Sequence, residues 1–332
     1  MSKAAKTPSI IRRSLIRTLL FVTLILVVGS TFEPYNQAQL AVVLIYFIGV
    51  LSVTLLTGIS GQLSLGQGAL MAIGGYSTAL LMTNYSISLW IAVPASIFGA
   101  GLAGALLGIA AARLSGPYLA GTTLVIALAI PSIANRFMSV FRGDEGFQVD
   151  VGYPPNWFSN FFGEPTYEEW QLYVVLPFAA IALFFASNLL LSRTGRMWRS
   201  IRDNETAAAL TGVNFSRQKI YIFIIASTFA GLSGALYGLR GLVGPSIYPV
   251  ALSLTLLTAA VLGGIRSIFG AFIGTVIVVF LPDWIDLALG SFELSEQVSN
   301  FMPALVSGLL LILTVVINPA GVAGCTHLHK HK

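Results

Sequence analysis

The chain has 332 residues, 56% of them hydrophobic and only 9% charged, with mean hydropathy +0.84. Soluble domains carry about 25% charged residues, and a folded soluble protein keeps too much area in water to hide this apolar surface, so a water-soluble globular domain is excluded. The net charge of +5 does not imply nucleic acid, because the cations sort to one side of a set of membrane spans.

In chain order, Lys3, Lys6, Arg12, Arg13 and Arg17 precede the apolar run Leu19 to Val28. No A-x-A-like site follows and many further apolar stretches do, so this reads as a first transmembrane helix, not a secretory leader. A bilayer core takes roughly 20 apolar residues per helix. Ten segments qualify: about 15–31, 40–57, 66–83, 89–111, 117–135, 171–191, 220–241, 250–264, 268–288 and 300–317. The third, fifth and eighth are short or interrupted by glycine or polar residues, as in broken or re-entrant helices. The expected fold is an all-α polytopic membrane protein of about ten helices with both termini cytoplasmic. It comprises a basic N-terminus at 1–14, one membrane domain at 15–317 and a tail at 318–332.

The charges agree with this topology. All but Arg136, Arg142 and Arg240 of the 18 basic residues fall inside, as the positive-inside rule requires. All but Asp203 and Glu205 of the 13 acidic residues fall outside. No Asp, Glu, Lys or Arg lies near the middle of a span. Proton- and ion-coupled carriers usually place such groups there, which argues against a self-energised carrier.

The stretch 57–67 breaks a helical pattern with Gly58, Gly61 and Gly66, and adds Gln62, Ser64 and Gln67. Freed backbone at membrane depth survives only in protein or beside a water-filled path. This break therefore either lines a translocation path or makes a tight inner turn. Gly101 to Gly108 and Gly231 to Gly238 carry matching glycine spacings, which fit helix-packing faces better than an inverted repeat. The outer loop 136–170 holds Trp157, Phe158, Phe161, Phe162, Tyr167 and Trp170. The Trp157 to Phe162 group suits an interfacial belt. Asp144, Glu145, Glu168 and Glu169 suit docking of a soluble partner.

The cytoplasmic loop 192–219 is the longest inside. Asn204 can cap a helix, Glu205 favours its first turn and Gly212 can end it. Such a short arginine-flanked helix suits a partner's groove, or else its arginines meet anionic lipid heads. The lone Cys325 offers no intrachain disulfide, and His327, His329 and His331 lie in a cationic tail. No metal site is expected. No G-x-x-x-x-G-K-[ST] loop, H-E-x-x-H or G-x-S-x-G with partners marks an enzyme.

The run Glu205-Thr206-Ala207-Ala208-Ala209-Leu210-Thr211-Gly212 resembles the coupling loop of ABC importer permeases, with one residue more than the commonest spacing. That spacing matches the branched-chain amino acid permease family of the LivM type. Thr57-Gly58-Ile59-Ser60-Gly61-Gln62-Leu63-Ser64-Leu65-Gly66-Gln67, Arg113-Leu114-Ser115-Gly116-Pro117-Tyr118-Leu119-Ala120 and Gly143-Asp144-Glu145-Gly146 are similar to further elements of that family. So is Val261 to Gly270, where Arg266 replaces the family's middle glycine. The likeness runs from about 40 to 317.

The resemblance implies a permease subunit in a bacterial cytoplasmic membrane, moving branched-chain amino acids inward. Urea or short-amide permeases are closely similar alternatives. A self-contained channel or carrier is the competing class. The resemblance implies two cytoplasmic ATPase subunits that bind ATP and Mg, a second permease subunit and an extracytoplasmic binding protein. No cofactor is expected on this chain. The ATPases would dock on Asn204, Glu205, Ala207, Ala208, Leu210 and Gly212. The path would involve Gly61, Gln62, Ser64, Gly66 and Gln67, with Thr122, Thr123, Thr255 and Thr258 as hydroxyl donors.

Overall fold

Inside a bilayer the backbone has to satisfy its own hydrogen bonds, and this chain does so with helices. A computed structural model describes residues 10–114, 116–156, 158–159, 165–289, scattered positions between 302 and 316, and 321–324. The helices are α1 (Ile10–Thr31), α2 (Pro34–Val53), α3 (Gln67–Tyr85), α4 (Leu89–Ala111), α5 (Pro117–Arg136) and the single-turn α6 (Met138–Phe141). They continue as α7 (Tyr167–Leu191), α8 (Arg193–Asp203), α9 (Glu205–Leu210), α10 (Phe215–Gly238), α11 (Val250–Gly263) and α12 (Ile268–Leu289).

Seven helices among the described residues are long and apolar enough to cross a membrane: α1, α2 with its extension to Ile59, α4, α5, α7, α10 and α12. The protein is thus helical and polytopic. Two of the ten expected spans fall short for visible reasons. α11 has 14 residues, about 21 Å at 1.5 Å per residue against a core of about 30 Å. α3 has 19 residues, but glycine, threonine, asparagine and tyrosine dilute its apolar character. The fifth expected span is a continuous helix despite Pro131. Much of the expected span 300–317 lies outside the described residues, as do Lys3, Lys6, Trp157, Phe161, Phe162, Cys325 and the three histidines.

The core is built around α2, which from Leu40 on is buried among α7, α10, α12 and α11. Lipid tails are as apolar as leucine, so close packing and interhelical hydrogen bonds have to hold the bundle together. Glycines permit that closeness. A Cβ at Gly74 of α3 would collide with the Gly231 carbonyl of α10, and one at Gly234 with the Met71 carbonyl. On the other side of α10, Gly104 of α4 lies on Ser227, and Gly231 lies on Ala100. The two matching glycine stripes therefore serve different contacts: Gly101, Gly104 and Gly108 of α4 pack on α10 between Ile220 and Thr228, while on α10 Gly231 faces α4 and Gly234 faces α3. Across the bundle, Thr78 and Ser96 share a 2.6 Å hydrogen bond, and the Ser233 hydroxyl donates to the Ile45 carbonyl at 2.7 Å. Such bonds average about 0.6 kcal/mol in a membrane, so many act together.

At the end of the bundle where α3 finishes and α7 begins, β1 (Phe147–Asp150) pairs antiparallel with β2 (Arg240–Val243), Phe147 opposite Val243 and Asp150 opposite Arg240. This corrects the expected span at 220–241. The helix stops at Gly238 because residues 240–243 join the ladder. α7 starts earlier than the expected 171, because Thr166 caps it by accepting from the Glu169 amide at 3.3 Å. Glu168 and Glu169 thus sit in a first helical turn.

Candidate functional site

α2 does not end cleanly. Its last turns widen into a π-helix over Thr54–Ile59, a feature common at functional sites. The amide of Ser60 reaches back to Leu55, and that of Gln62 to Leu56. Gly61 then takes φ +75°, where any other residue is strained. The chain runs non-helically to Gly66, and α3 begins at Gln67.

The five path residues expected in 57–67 are contiguous here, and all but Gly61 and Gly66 bring a polar side chain. Gln62 is 6% exposed and Gln67 1% exposed. Gln67 Oε1 accepts from the Ser52 hydroxyl at 3.0 Å. Its Nε2, both carboxamide atoms of Gln62 and the nearby Thr54 hydroxyl have no hydrogen-bond partner among the described residues. Each such group costs about 1–3 kcal/mol when buried. Natural proteins hold few of them, and a cluster asks for a reason.

Two neighbouring helices close on this segment. Thr123 of α5 accepts from the Leu65 amide at 2.9 Å, and Ser253 of α11 accepts from the Gly68 amide at 2.9 Å. Thr123 was expected at the path; Ser253 was not, since nothing in its local sequence pairs it with residue 68. Two other expected hydroxyls are spent locally. Thr122 donates to the Tyr118 carbonyl at 2.8 Å and Thr255 to the Ala251 carbonyl at 3.0 Å, the back-bonding habit of threonine in helices. Thr258 is half-buried on α11.

The loop 192–219 folds into α8 and α9. Ser192 caps α8 by accepting from the Gly195 amide at 3.2 Å. α8 buries Gly195, Trp198 and Ile201 on one face, and the Trp198 indole donates to Gln218 of α10 at 3.1 Å. The last residues of α8 form an ion pair, Arg202 to Asp203 at 2.8 Å. This hydrogen bond and the arginine's charge hold the Asp203 carboxyl below its ordinary value.

α9 is built as its sequence foretold. The Asn204 side chain accepts from the Ala207 amide at 3.0 Å. Beyond the helix, the Val213 amide bonds the Ala208 carbonyl at 3.3 Å and the Gly212 amide bonds Ala209 at 3.0 Å. With Gly212 at φ +86°, this is a Schellman ending. Ala208 is tucked in, while Glu205, Ala207, Ala209, Leu210 and Gly212 are exposed, Leu210 to 86%. A second anchor went unseen in the sequence. Lys219 of α10 is 4% exposed, forms an ion pair with Glu205 at 2.7 Å, and lies over the Phe215 ring at 5.6 Å.

On the strand side, Asp144 and Glu145 lie exposed on a 3-10 turn, Gly143–Glu145. Asp144 accepts from the Asn135 amide nitrogen at 3.1 Å. Glu168 and Glu169 are half-buried, and Glu169 accepts from the Tyr173 hydroxyl at 2.7 Å. On the same side Met82, Thr83, Gln148, Val149, Tyr167 and Gly241 line a recess of about 380 Å³. Phe158 packs on Trp170 with centroids 5.1 Å apart. Among the described residues no cluster of His, Cys, Asp and Glu can hold a metal.

A family model described as branched-chain amino acid transport system / permease component matches residues 37–315. The high-affinity branched-chain amino acid transport system permease protein LivM of Escherichia coli (strain K12) is 31% identical over 302 residues, covering 85% of this chain and 68% of the relative. LivH of Salmonella typhimurium, a permease protein of a system with the same description, is 27% identical over 299 residues, covering 86% and 93%. The L-arabinose transport system permease protein AraH of Escherichia coli (strain K12) is 30% identical over 266 residues, covering 78% and 75%. No solved structure matches.

Proposed function

The chain belongs to the branched-chain amino acid transport system permease family, and from that premise we propose that it is the membrane-spanning subunit of an ABC importer moving leucine, isoleucine or valine inward across a bacterial cytoplasmic membrane. The observation that carries the coupling part of this reading is α9. It is capped at both ends, tied to the bundle by one buried lysine, and presents Ala207, Ala209 and Leu210 to solvent. A helix of six residues is marginal alone. Holding one out with its apolar side uncovered makes sense as a fitting for another protein.

In this reading two ATPase subunits grip α9, with Asn204 and Gly212 fixing its ends and Glu205 bracing it. ATP binding on those subunits moves α9, and the bundle alternates its opening between the two sides. The path runs past the broken segment. There the Gln62 carboxamide and the Gln67 Nε2, unpartnered among the described residues, offer neutral donors and an acceptor to a zwitterion, with Ser64 and Thr123 beside them. A second, related permease subunit completes the path, in keeping with two relatives, LivM and LivH, that share one system description. A binding protein outside docks on the acid-bearing face formed by Asp144, Glu145, Glu168 and Glu169. The expected orientation, with both termini and the loop 192–219 in the cytoplasm, belongs to this proposal.

Substrate is tested directly. The complex, purified from its own membranes with its stoichiometric partners, is placed in liposomes, and ATP-driven uptake of labelled leucine is challenged with isoleucine, valine, urea and arabinose. Competition by isoleucine and valine alone is the predicted result. Competition by urea, or by the sugar that the arabinose relative suggests, would move the chain to a different substrate class within the same family.

A further inference from the structure

We propose that Arg202 is the positioning residue that carries motion of the α8–α9 unit into the broken helix, through its joint contact with the Gly58 carbonyl and the Gly61 backbone. The proposal rests on the reading of α9 as the ATPase-docking element and extends it to the route by which docking reaches the path.

Helix ends leave carbonyls without intrahelical donors. At the end of the α2 extension, the amides of 60, 61 and 62 turn back to Leu55, Thr57 and Leu56. The Gly58 carbonyl is instead met by Nη1 of Arg202 at 2.8 Å, across 144 positions of sequence. A guanidinium at a helix C-terminus also answers the negative end of the helix dipole.

The contact is steric as well as polar. A Cβ on Gly61 would lie 2.5 Å from Cγ of Arg202, so the arginine stem occupies the space a side chain there would need. The opposite edge of the guanidinium is held by Asp203, with Nε at 3.1 Å and Nη2 at 2.8 Å from one carboxylate oxygen. A planar fork can span a carbonyl on one edge and a carboxylate on the other, whereas a lysine ammonium is a single point.

Position along the chain gives this contact its use. Arg202 sits in the last turn of α8, next to Asp203 and the Asn204 cap of α9. Among the described residues the unit is also pinned to α7 and α10, through the Ser192 turn, Trp198 to Gln218, and Glu205 to Lys219. A tilt of α9 therefore pivots on α10 and delivers its displacement at Gly58 and Gly61. One residue beyond Gly61 stands Gln62, with its buried unpartnered carboxamide. The segment then ties to α5 through Leu65 and Thr123 and to α11 through Gly68 and Ser253. Arg202 is thus the joint of a contiguous network from the docking helix to three helices of the bundle, the physical form that coupling between sites requires.

The test compares wild type with Arg202→Met and Arg202→Lys in the intact complex, measuring ATP hydrolysis and leucine uptake in the same liposomes. The methionine keeps most of the stem and loses the fork. Its complex is expected to retain its ATPase subunits and hydrolysis, while uptake per ATP falls at least about fivefold, the lower end of ordinary coupling between sites. The lysine variant is expected to lose less, but measurably. Uptake per ATP unchanged in the methionine variant overturns the proposal. So does a parallel loss of uptake and of bound ATPase, which would make Arg202 a docking residue. If the methionine variant fails to insert, the lysine variant takes its place, and an unchanged ratio there overturns the proposal. A wild-type chain that binds no ATPase sinks the docking reading first and this proposal with it, and that failure is distinguishable because it needs no variant.

Discussion

Lysine 219 is nearly enclosed in protein, and an ammonium in that setting has to be paired. Its partner is Glu205 at 2.7 Å, whose own side chain is 46% exposed. The glutamate of α9 therefore reaches to α10 and works as a brace. Glu205→Ala should leave the lysine with the Phe215 face and cost about 1–3 kcal/mol of local stability, read as faster amide exchange across α9. Glu205→Lys or Lys219→Glu alone should abolish leucine uptake, and the exchanged pair should recover much of it. No recovery in the double variant would mean that Glu205 pairs with another protein instead. At Gly61, φ +75° and the Arg202 stem both oppose a side chain. Gly61→Ala should cost about 1–2 kcal/mol for the left-handed backbone alone, seen as a lower melting temperature in detergent. The Asp203 carboxyl is depressed by Arg202, so the stability it contributes is complete above its unfolded value and is lost as pH falls through the lower, folded one. Around neutrality that pair should give uptake no pH dependence.

At the scale of elements, α9 can be disrupted by a substitution that lies outside every span. Proline at 208 takes away the amide that bonds the Asn204 carbonyl at 3.0 Å and costs about 3 kcal/mol in a helix interior. Ala208→Pro should abolish uptake while the chain still inserts. A sharper probe is Leu210→Asp, since a side chain this exposed contributes within about 0.5 kcal/mol to folding. That variant should melt like wild type yet bring down no ATPase from detergent extracts. The limits of the helix were legible because capping acts over three or four residues: asparagine before the first turn, glycine after the last. Gly58, Gly61 and Gly66 marked the break for the same local reason. What was not legible joins distant segments. Lys219 counted only as one of the inside cations, nothing in the sequence singled out Ser253, and Arg202 was one of the arginines flanking the short helix, suited to a partner's groove or to anionic lipid heads. The β1–β2 ladder was hidden because residues 147–150 are a short run in a long loop, and residues 240–243 follow an apolar helix directly.

For the whole molecule, composition was decisive for the class, and charge placement gives an orientation that labelling can check. In a background where Cys325→Ala removes the natural thiol, Leu210→Cys should react with an impermeant reagent only from the cytoplasmic side and Glu145→Cys only from outside. Span counting was less secure because apolar length is a weak guide in a bundle of this kind. α3 packs against both α4 and α10 through glycines, so it needs little lipid-facing hydrophobicity. α11 is paired with α12, so it need not span the bilayer by itself. The central claim is that this chain transports only when ATPase partners act on α9. The measurement that tests it most directly is leucine flux in liposomes containing either the chain alone or the chain with the partners that copurify in mild detergent, each with and without ATP. The account predicts flux only with partners and ATP together, and none when Ala208→Pro replaces wild type. Flux through the chain alone without nucleotide would contradict it and make the protein a self-contained channel or carrier.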